Sequence, residues 1–191
     1  SLHDALPIYL LYSVRLTGRE IKNYLEYSYS NWYATMQDKN DHLINFRIDS
    51  NGKPAYSDTY GHYLLAGVYY NFDSAFGLDY SVDVSNPAGS RVTIHSLSDG
   101  SPFYPDNFYT VAVNSYRASG GGGHLTKGAG LTPEQIEERT IEVKQEDIRY
   151  LIRKRIDKFD TLKISLDENW RVLPKDWSKE GWTRDSLMLF K

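Results

Sequence analysis

The chain sets short runs of β-branched and aromatic residues between polar stretches rich in Gly, Pro and Asp, and only a few segments carry a helical period. Apolar or aromatic runs at 10–16, 64–72, 78–84, 91–97 and 108–115 therefore read as strands, with Pro102 and Pro105 bracketing the turn into the last. The polar stretch 38–58 reads as a surface excursion with one further strand at 43–48. A helix is predicted from residue 18 to about 29. Thr17 and Glu20 fit a capping box, and Ile21, Tyr24, Leu25 and Ser28 follow at i, i+3, i+4 and i+7, a spacing that turns one face to a sheet. Thr132-Pro133-Glu134-Gln135 is a second helix start, with proline at the first helical position. Over 145–159, Ile148, Leu151, Ile152, Arg155, Ile156 and Phe159 recur at helical spacing and predict a helix docked on the sheet. Its opposite face, with Arg149, Arg153, Lys154 and Lys158, is basic and reads as solvated. Segments 170–173 and 177–190, with Trp170, Trp177 and Trp182, read as a tail returning over the domain. The expected class is α+β, a mixed sheet flanked by helices, with no internal boundary that splits residues 9–191.

Composition narrows the function classes. With 191 residues, 40% hydrophobic and 25% charged, the chain can bury a real core. No stretch reaches the ~20 apolar residues of a membrane span. Zero cysteines exclude disulfides, thiolate nucleophiles and Cys-bound zinc. A net charge of −3 argues against a nucleic-acid polymer as partner, although a single nucleotide needs far less positive charge. The histidines His3, His42, His62, His95 and His124 are scattered without metal-ligand spacing, and no GxSxG turn occurs. The 16 tyrosines gather mainly at 24–33, 56–80 and 104–116 and are assigned mostly to sheet faces and packing under loops.

One run points to binding. Asn114-Ser115-Tyr116-Arg117-Ala118-Ser119-Gly120-Gly121-Gly122-Gly123-His124 takes a strand into one aromatic and then four glycines. Glycine permits positive φ and close approach of a ligand to backbone N–H groups, and an aromatic at the rim can stack on a planar ligand. A flexible linker is the other reading of the glycines.

Taken with VRLTGREI at 14–21, YNFD at 70–73, GSRVTI at 89–94 and PD at 105–106 ahead of YTVA at 109–112, this run resembles the C-terminal domain of the 5'-nucleotidase family. Within it, the similarity is greatest to the bifunctional 2',3'-cyclic-nucleotide 2'-phosphodiesterase/3'-nucleotidase branch. The resemblance implies that Tyr116 stacks on a nucleobase and that the backbone of Ser119, Gly120, Gly121 and Gly122 closes near the ribose, with Asn114 and Arg117 as flanking polar contacts. Tyr70, Asn71 and Phe72 are weaker candidates. It also implies that hydrolysis belongs to an N-terminal metallophosphoesterase domain with two divalent metal ions, so this chain should bind a nucleotide or nucleoside without catalysis or a cofactor of its own. Periplasmic or cell-surface location goes with the family.

Two departures stand out. In the 5'-nucleotidases proper an aspartate that holds the ribose hydroxyls sits six residues after the stacking aromatic, where this chain has Gly122. A carboxylate would repel a phosphate on the 2' or 3' oxygen, so glycine favours 3'-nucleotides or 2',3'-cyclic nucleotides. A second stacking aromatic, expected just before the first strand, is replaced by Leu6, Pro7, Ile8 and Tyr9. Residues 1–8 (SLHDALPI) read as a non-native leader, and the chain as the fragment 9–191 of a longer protein. The competing class is a free-standing, tyrosine-rich module for glycans or a protein partner.

Overall fold

A computed structural model describes residues 9–159 and 167–190. In chain order its elements are β1 (Leu10–Thr17), α1 (Gly18–Trp32), β2 (Tyr56–Ser57), β3 (His62–Tyr63), β4 (Leu78–Asp83), β5 (Val92–Leu97) and β6 (Phe108–Asn114). There follow α2 (Ser115–Ala118), α3 (Pro133–Arg139), β7 (Thr140–Asp147), α4 (Ile148–Ile156), β8 (Trp170–Leu173) and α5 (Lys175–Leu189). They fall into two compact units: the described residues of Ser1–Ile21 and Tyr104–Asp167 make the first, those of Lys22–Phe103 and Glu168–Lys191 the second. Each unit joins separated stretches of chain, so no single linker marks the division in the sequence.

The first unit is an antiparallel sheet in the order β6-β1-β7. Val14 and Leu16 of the central strand are buried, while Arg15 between them is exposed opposite Thr110, the period-two pattern of a half-buried strand. The predicted capping box starts α1: Thr17 Oγ1 accepts from the Glu20 N–H at 3.2 Å, and Glu20 accepts from the Thr17 N–H at 2.8 Å. Arg139 donates to both Glu20 carboxylate oxygens at 2.7 Å. Burial pushes the Glu20 carboxyl up, but the Thr17 N–H and the Arg139 guanidinium together outweigh it and hold the group below its ordinary value. Thr132 and Gln135 form the same reciprocal cap at α3, with Pro133 behind Thr132 as predicted.

The helix expected over 145–159 differs in two ways. It begins only at Ile148, because 140–147 continues as β7 and pairs with β1 as far as Asp147 against Leu10. None of its residues is buried, and Ile152, at 53% exposure, faces solvent, so the predicted docking on the sheet does not occur. The Asp147 side chain accepts from the Arg149 N–H and guanidinium, and that pairing pulls its carboxyl down to about 2.

The second unit holds a mixed sheet in the order β5-β4-β8, in which the tail returns as a strand: β8 pairs parallel to β4, Trp170 beside Tyr80. The α+β class with a mixed sheet is thus borne out, although the strands form separate sheets. Tyr80, Val82, Val84 and Val92 are buried, and Trp170 stacks on Tyr80 with centroids 6.2 Å apart. From α1, Tyr29 shares a 2.8 Å hydrogen bond with Tyr80, and buried Glu26 accepts from the N–H groups of Arg91 and Val92. Burial pushes the Tyr29 phenol up and that of Tyr33 up to about 12, so these tyrosines stay neutral packing groups.

The strands expected at 43–48 and 64–72 are reduced to isolated bridges, Tyr33 with Ile44, Phe46 with Leu65 and Ile48 with Pro54, and Tyr69–Asn71 is a 3-10 turn. Gly67 lies in this stretch with its backbone so close to the Asn31 carbonyl that a Cβ there would lie 3.2 Å from the oxygen. The excursion nevertheless carries core, since Met36, Leu43, Ile44 and Phe46 are buried. Asp185 of α5 pins it. This fully buried carboxylate accepts from the N–H groups of Leu43 at 2.7 Å and Ile44 at 2.9 Å and pairs with His42 Nδ1 at 2.6 Å. At Gly181, one turn earlier, a Cβ would fall less than 3.0 Å from the Leu43 side chain.

Removing a buried charged acceptor strands its donors, so Asp185→Ala should destabilise the second unit by about 3 kcal/mol. All of the chain's tryptophans lie in that unit, so urea unfolding followed by tryptophan fluorescence reads it directly, and the exposed Asp176→Ala serves as control with a change of about 0.5 kcal/mol or less. Because Glu20 titrates lower in the folded chain than its ordinary value of 4.5, its stabilisation is present above that value and lost as pH falls through the folded one. Glu20→Gln should flatten this part of the acid limb in a circular-dichroism pH titration.

Candidate functional site

The run that follows β6 folds back at once. Asn114, still extended, caps α2 by accepting the Arg117 N–H on Oδ1 at 2.8 Å. Ser115 Oγ accepts from the Leu10 N–H of β1, which ties the start of the loop to the sheet. Ser119 Oγ donates to the Tyr116 carbonyl at 2.9 Å, and the Gly120 N–H donates to the Arg117 carbonyl at 3.0 Å. Gly120, Gly122 and Gly123 lie at φ of 86°, 72° and 80°, the left-handed region that side-chain-bearing residues seldom adopt. Gly121 is needed for a different reason: a Cβ there would fall less than 3.0 Å from the ring edge and the carbonyl of Tyr116. The chain then drives His124 and Leu125 into the interior, where both are fully buried. The four glycines therefore form a packed turn.

Sequence reasoning placed Asn114, Tyr116, Arg117, Ser119, Gly120, Gly121 and Gly122 together, and the fold keeps them together. It also divides their tasks. Asn114 and Ser119 make the bonds just described to the run's own backbone, and Arg117 does the same: its guanidinium donates to the Gly121 carbonyl at 3.2 Å and lies 5.2 Å from the Tyr116 ring centroid. Only 4% of Arg117 is exposed. Tyr116 is half-buried at the hinge of the turn and Ser119 is exposed. Such an arrangement offers a planar ligand an aromatic surface and glycine backbone within reach, and it contains no nucleophile–base pair. Neither the capping role of Asn114 nor the burial of Arg117 was foreseen from the sequence, which offered both as flanking polar contacts.

Among the weaker candidates, Phe72 packs edge-on against Tyr29 in the second unit, whereas Tyr70 is exposed. The histidines serve separate places: His42 on Asp185, His62 on the Tyr63 carbonyl, His95 on Ser81, and His124 in the interior, while His3 lies outside the described residues. Among the described residues no three His, Cys, Asp or Glu side chains are placed to hold a metal ion, and no helix is long and apolar enough to cross a membrane. An open hollow of about 480 Å³ in the second unit is lined by His42, Asp49, Lys53, Tyr56, Tyr63 and Met188, among others.

Comparison with known proteins bears on the family and the fold. Residues 9–127 match the family described as 5'-nucleotidase, C-terminal domain. The chain is 29% identical to the trifunctional nucleotide phosphoesterase protein YfkN of Bacillus subtilis, a match covering 93% of this chain and 11% of that protein. It is 26% identical to the 2',3'-cyclic-nucleotide 2'-phosphodiesterase/3'-nucleotidase of Salmonella typhimurium, covering 91% of this chain and 26% of that one. The chain thus spans about a tenth and about a quarter of the length of these relatives. A Staphylococcus aureus structure described as a 5'-nucleotidase, in complex with alpha-ketoglutarate, superposes with a TM-score of 0.60 at 20% identity, over 86% of this chain and 27% of its own. The 5'-nucleotidase precursor of Thermus thermophilus superposes at 0.53 and 22%, over 87% and 25%. With more than half of its residues matched by the family pattern and its fold shared with these structures, the chain belongs to the 5'-nucleotidase C-terminal domain family.

Proposed function

We propose that the chain is the nucleobase- and ribose-recognition domain of a metal-dependent nucleotidase acting on 3'-nucleotides or 2',3'-cyclic nucleotides. The observation that carries this reading is the packed turn after β6, which holds the Tyr116 ring against the Gly121 backbone. Tyr116 stacks on the base, the backbone of Ser119, Gly120, Gly121 and Gly122 closes on the ribose, and Asn114 and Arg117 shape the loop. The names of the two curated relatives, a nucleotide phosphoesterase and a 2',3'-cyclic-nucleotide 2'-phosphodiesterase/3'-nucleotidase, support the substrate class. Gly122 supports its finer part, because glycine leaves room where a carboxylate would repel a 2'- or 3'-phosphate. Hydrolysis belongs in this reading to a metallophosphoesterase domain with two divalent ions, which the described residues do not form. An exported location, periplasmic or at the cell surface, accompanies it.

A second reading is favoured by one feature. Tyr69 and Tyr70, 72% and 62% exposed in the second unit, pack edge-on with ring centroids 5.5 Å apart, an exposed aromatic pair of the kind that binds glycans or a protein partner. Selectivity separates the readings: a base platform prefers adenosine to a simple sugar, and an aromatic glycan surface does the reverse.

In the two-domain enzyme, Tyr116→Ala should raise KM for a 3'-nucleotide by about 10- to 100-fold, the loss of one stacking partner. An unchanged KM removes Tyr116 from the site. Gly122→Asp should weaken a 3'-nucleotide more than the parent nucleoside, whereas Gly122→Asn, which matches its shape and tolerates positive φ without the charge, should affect both alike. Isothermal titration of the four pairs gives the comparison, and equal losses with Asp would remove charge as the basis of the preference.

A further inference from the structure

We propose that Arg117 is a positioning residue of the candidate site, one that sets the angle at which the Tyr116 ring is offered and does not itself touch ligand. The proposal rests on the reading of Tyr116 as a stacking platform. Its geometric part stands on the loop alone.

Arg117 sits where the bonds of the turn converge. Its N–H is held by Asn114 Oδ1 at 2.8 Å, and its carbonyl receives the Gly120 N–H at 3.0 Å, so its backbone is fixed from both sides. Its guanidinium reaches forward to the Gly121 carbonyl at 3.2 Å and lies 5.2 Å from the Tyr116 ring centroid. Gly121 in turn presses on the edge of that ring. Ring, glycine backbone and guanidinium therefore brace one another. Guanidinium is suited to this because it is planar, stacks on aromatic faces and carries several donors in a fixed fork, whereas the lysine ammonium is a strongly hydrated point charge. At 4% exposure the side chain has little surface left for a ligand, and a cation so placed is held by its bonds inside the protein.

The consequence for binding is entropic. A tyrosine already held in its binding rotamer loses less freedom when a ligand stacks on it than one that must be ordered at that moment, a difference of about tenfold in affinity for one side chain. Loss of the brace should therefore weaken binding even though every ligand-touching group remains.

The test uses the full chain labelled with carbon-13 in its tyrosine rings, with the Tyr116 signal assigned through Tyr116→Phe and adenosine 3'-monophosphate as probe. Without ligand, Arg117→Gln should shift the Tyr116 ring signal and leave those of Tyr29 and Tyr80 in place. Probe affinity should fall about tenfold, and Arg117→Lys should restore neither. Gly121→Ala, which keeps Arg117 but must displace the ring from the other side, gives the reference signal of a moved ring, and Arg117→Lys, which keeps the charge without the planar fork, decides the matter if Arg117→Gln does not fold. An unmoved ring signal overturns the proposal, whatever happens to affinity; lost affinity with the ring in place would make Arg117 a direct contact. A moved ring with unchanged affinity overturns it as well. A moved ring in a chain whose wild type does not bind the probe supports the brace and sinks the nucleotide reading instead.

Discussion

Whatever the candidate site presents depends on one constraint: the chain must reverse within a few residues of the end of β6. The reversal needs left-handed backbone at Gly120, Gly122 and Gly123 and no side chain at Gly121, conditions that four consecutive glycines meet with little strain. Glycine loses more backbone entropy on ordering than other residues, so such a run holds one shape only if surrounding bonds over-determine it. Here Asn114, Ser119 and Arg117 supply them, and Leu125 and His124 anchor the far side in the interior. The aromatic at the hinge is thereby placed by the backbone that follows it.

Both units use polar groups in this way, as clamps on backbone. Glu20 closes the first turn of α1 and is itself held by Arg139. Glu26 satisfies the N–H groups of Arg91 and Val92, and Asp185 those of Leu43 and Ile44. Glu26 and Asp185 supply acceptors to backbone N–H groups of segments with few ladder partners, which lets short strands and isolated bridges support a buried core. The tyrosines complement this by filling wide spaces between sheet and helix, as Tyr29 and Tyr80 do with Trp170.

How much of this was legible in the sequence follows the range of the interactions. The caps at Thr17 and Thr132 and the strands β1, β4, β5 and β6 are written in neighbouring residues, and they appear where the pattern puts them. The helix after β7 was expected three residues early because the alternating pattern of 140–147 continues into its first expected residues. Its unburied apolar face could not be foreseen, since periodicity reports a face and not what covers it. Within 64–72, where a strand was expected, Gly67 packs on the Asn31 carbonyl, and Leu43 and Ile44 are anchored on an aspartate about 140 residues away, contacts that no local pattern announces. At the site, Tyr116 and the glycines announced themselves by type. That the polar residues among them turn inward to hold the loop was visible only in three dimensions.

The most direct measurement is a titration of the nitrogen-15-labelled chain with adenosine 3'-monophosphate, followed amide by amide. A nucleotide-recognition site at the turn after β6 requires the largest shifts at Tyr116 and at Gly120 to Gly123, with little change around Tyr69 and Tyr70. Shifts concentrated at that second aromatic surface, or a response to a simple sugar in place of the nucleotide, would contradict it.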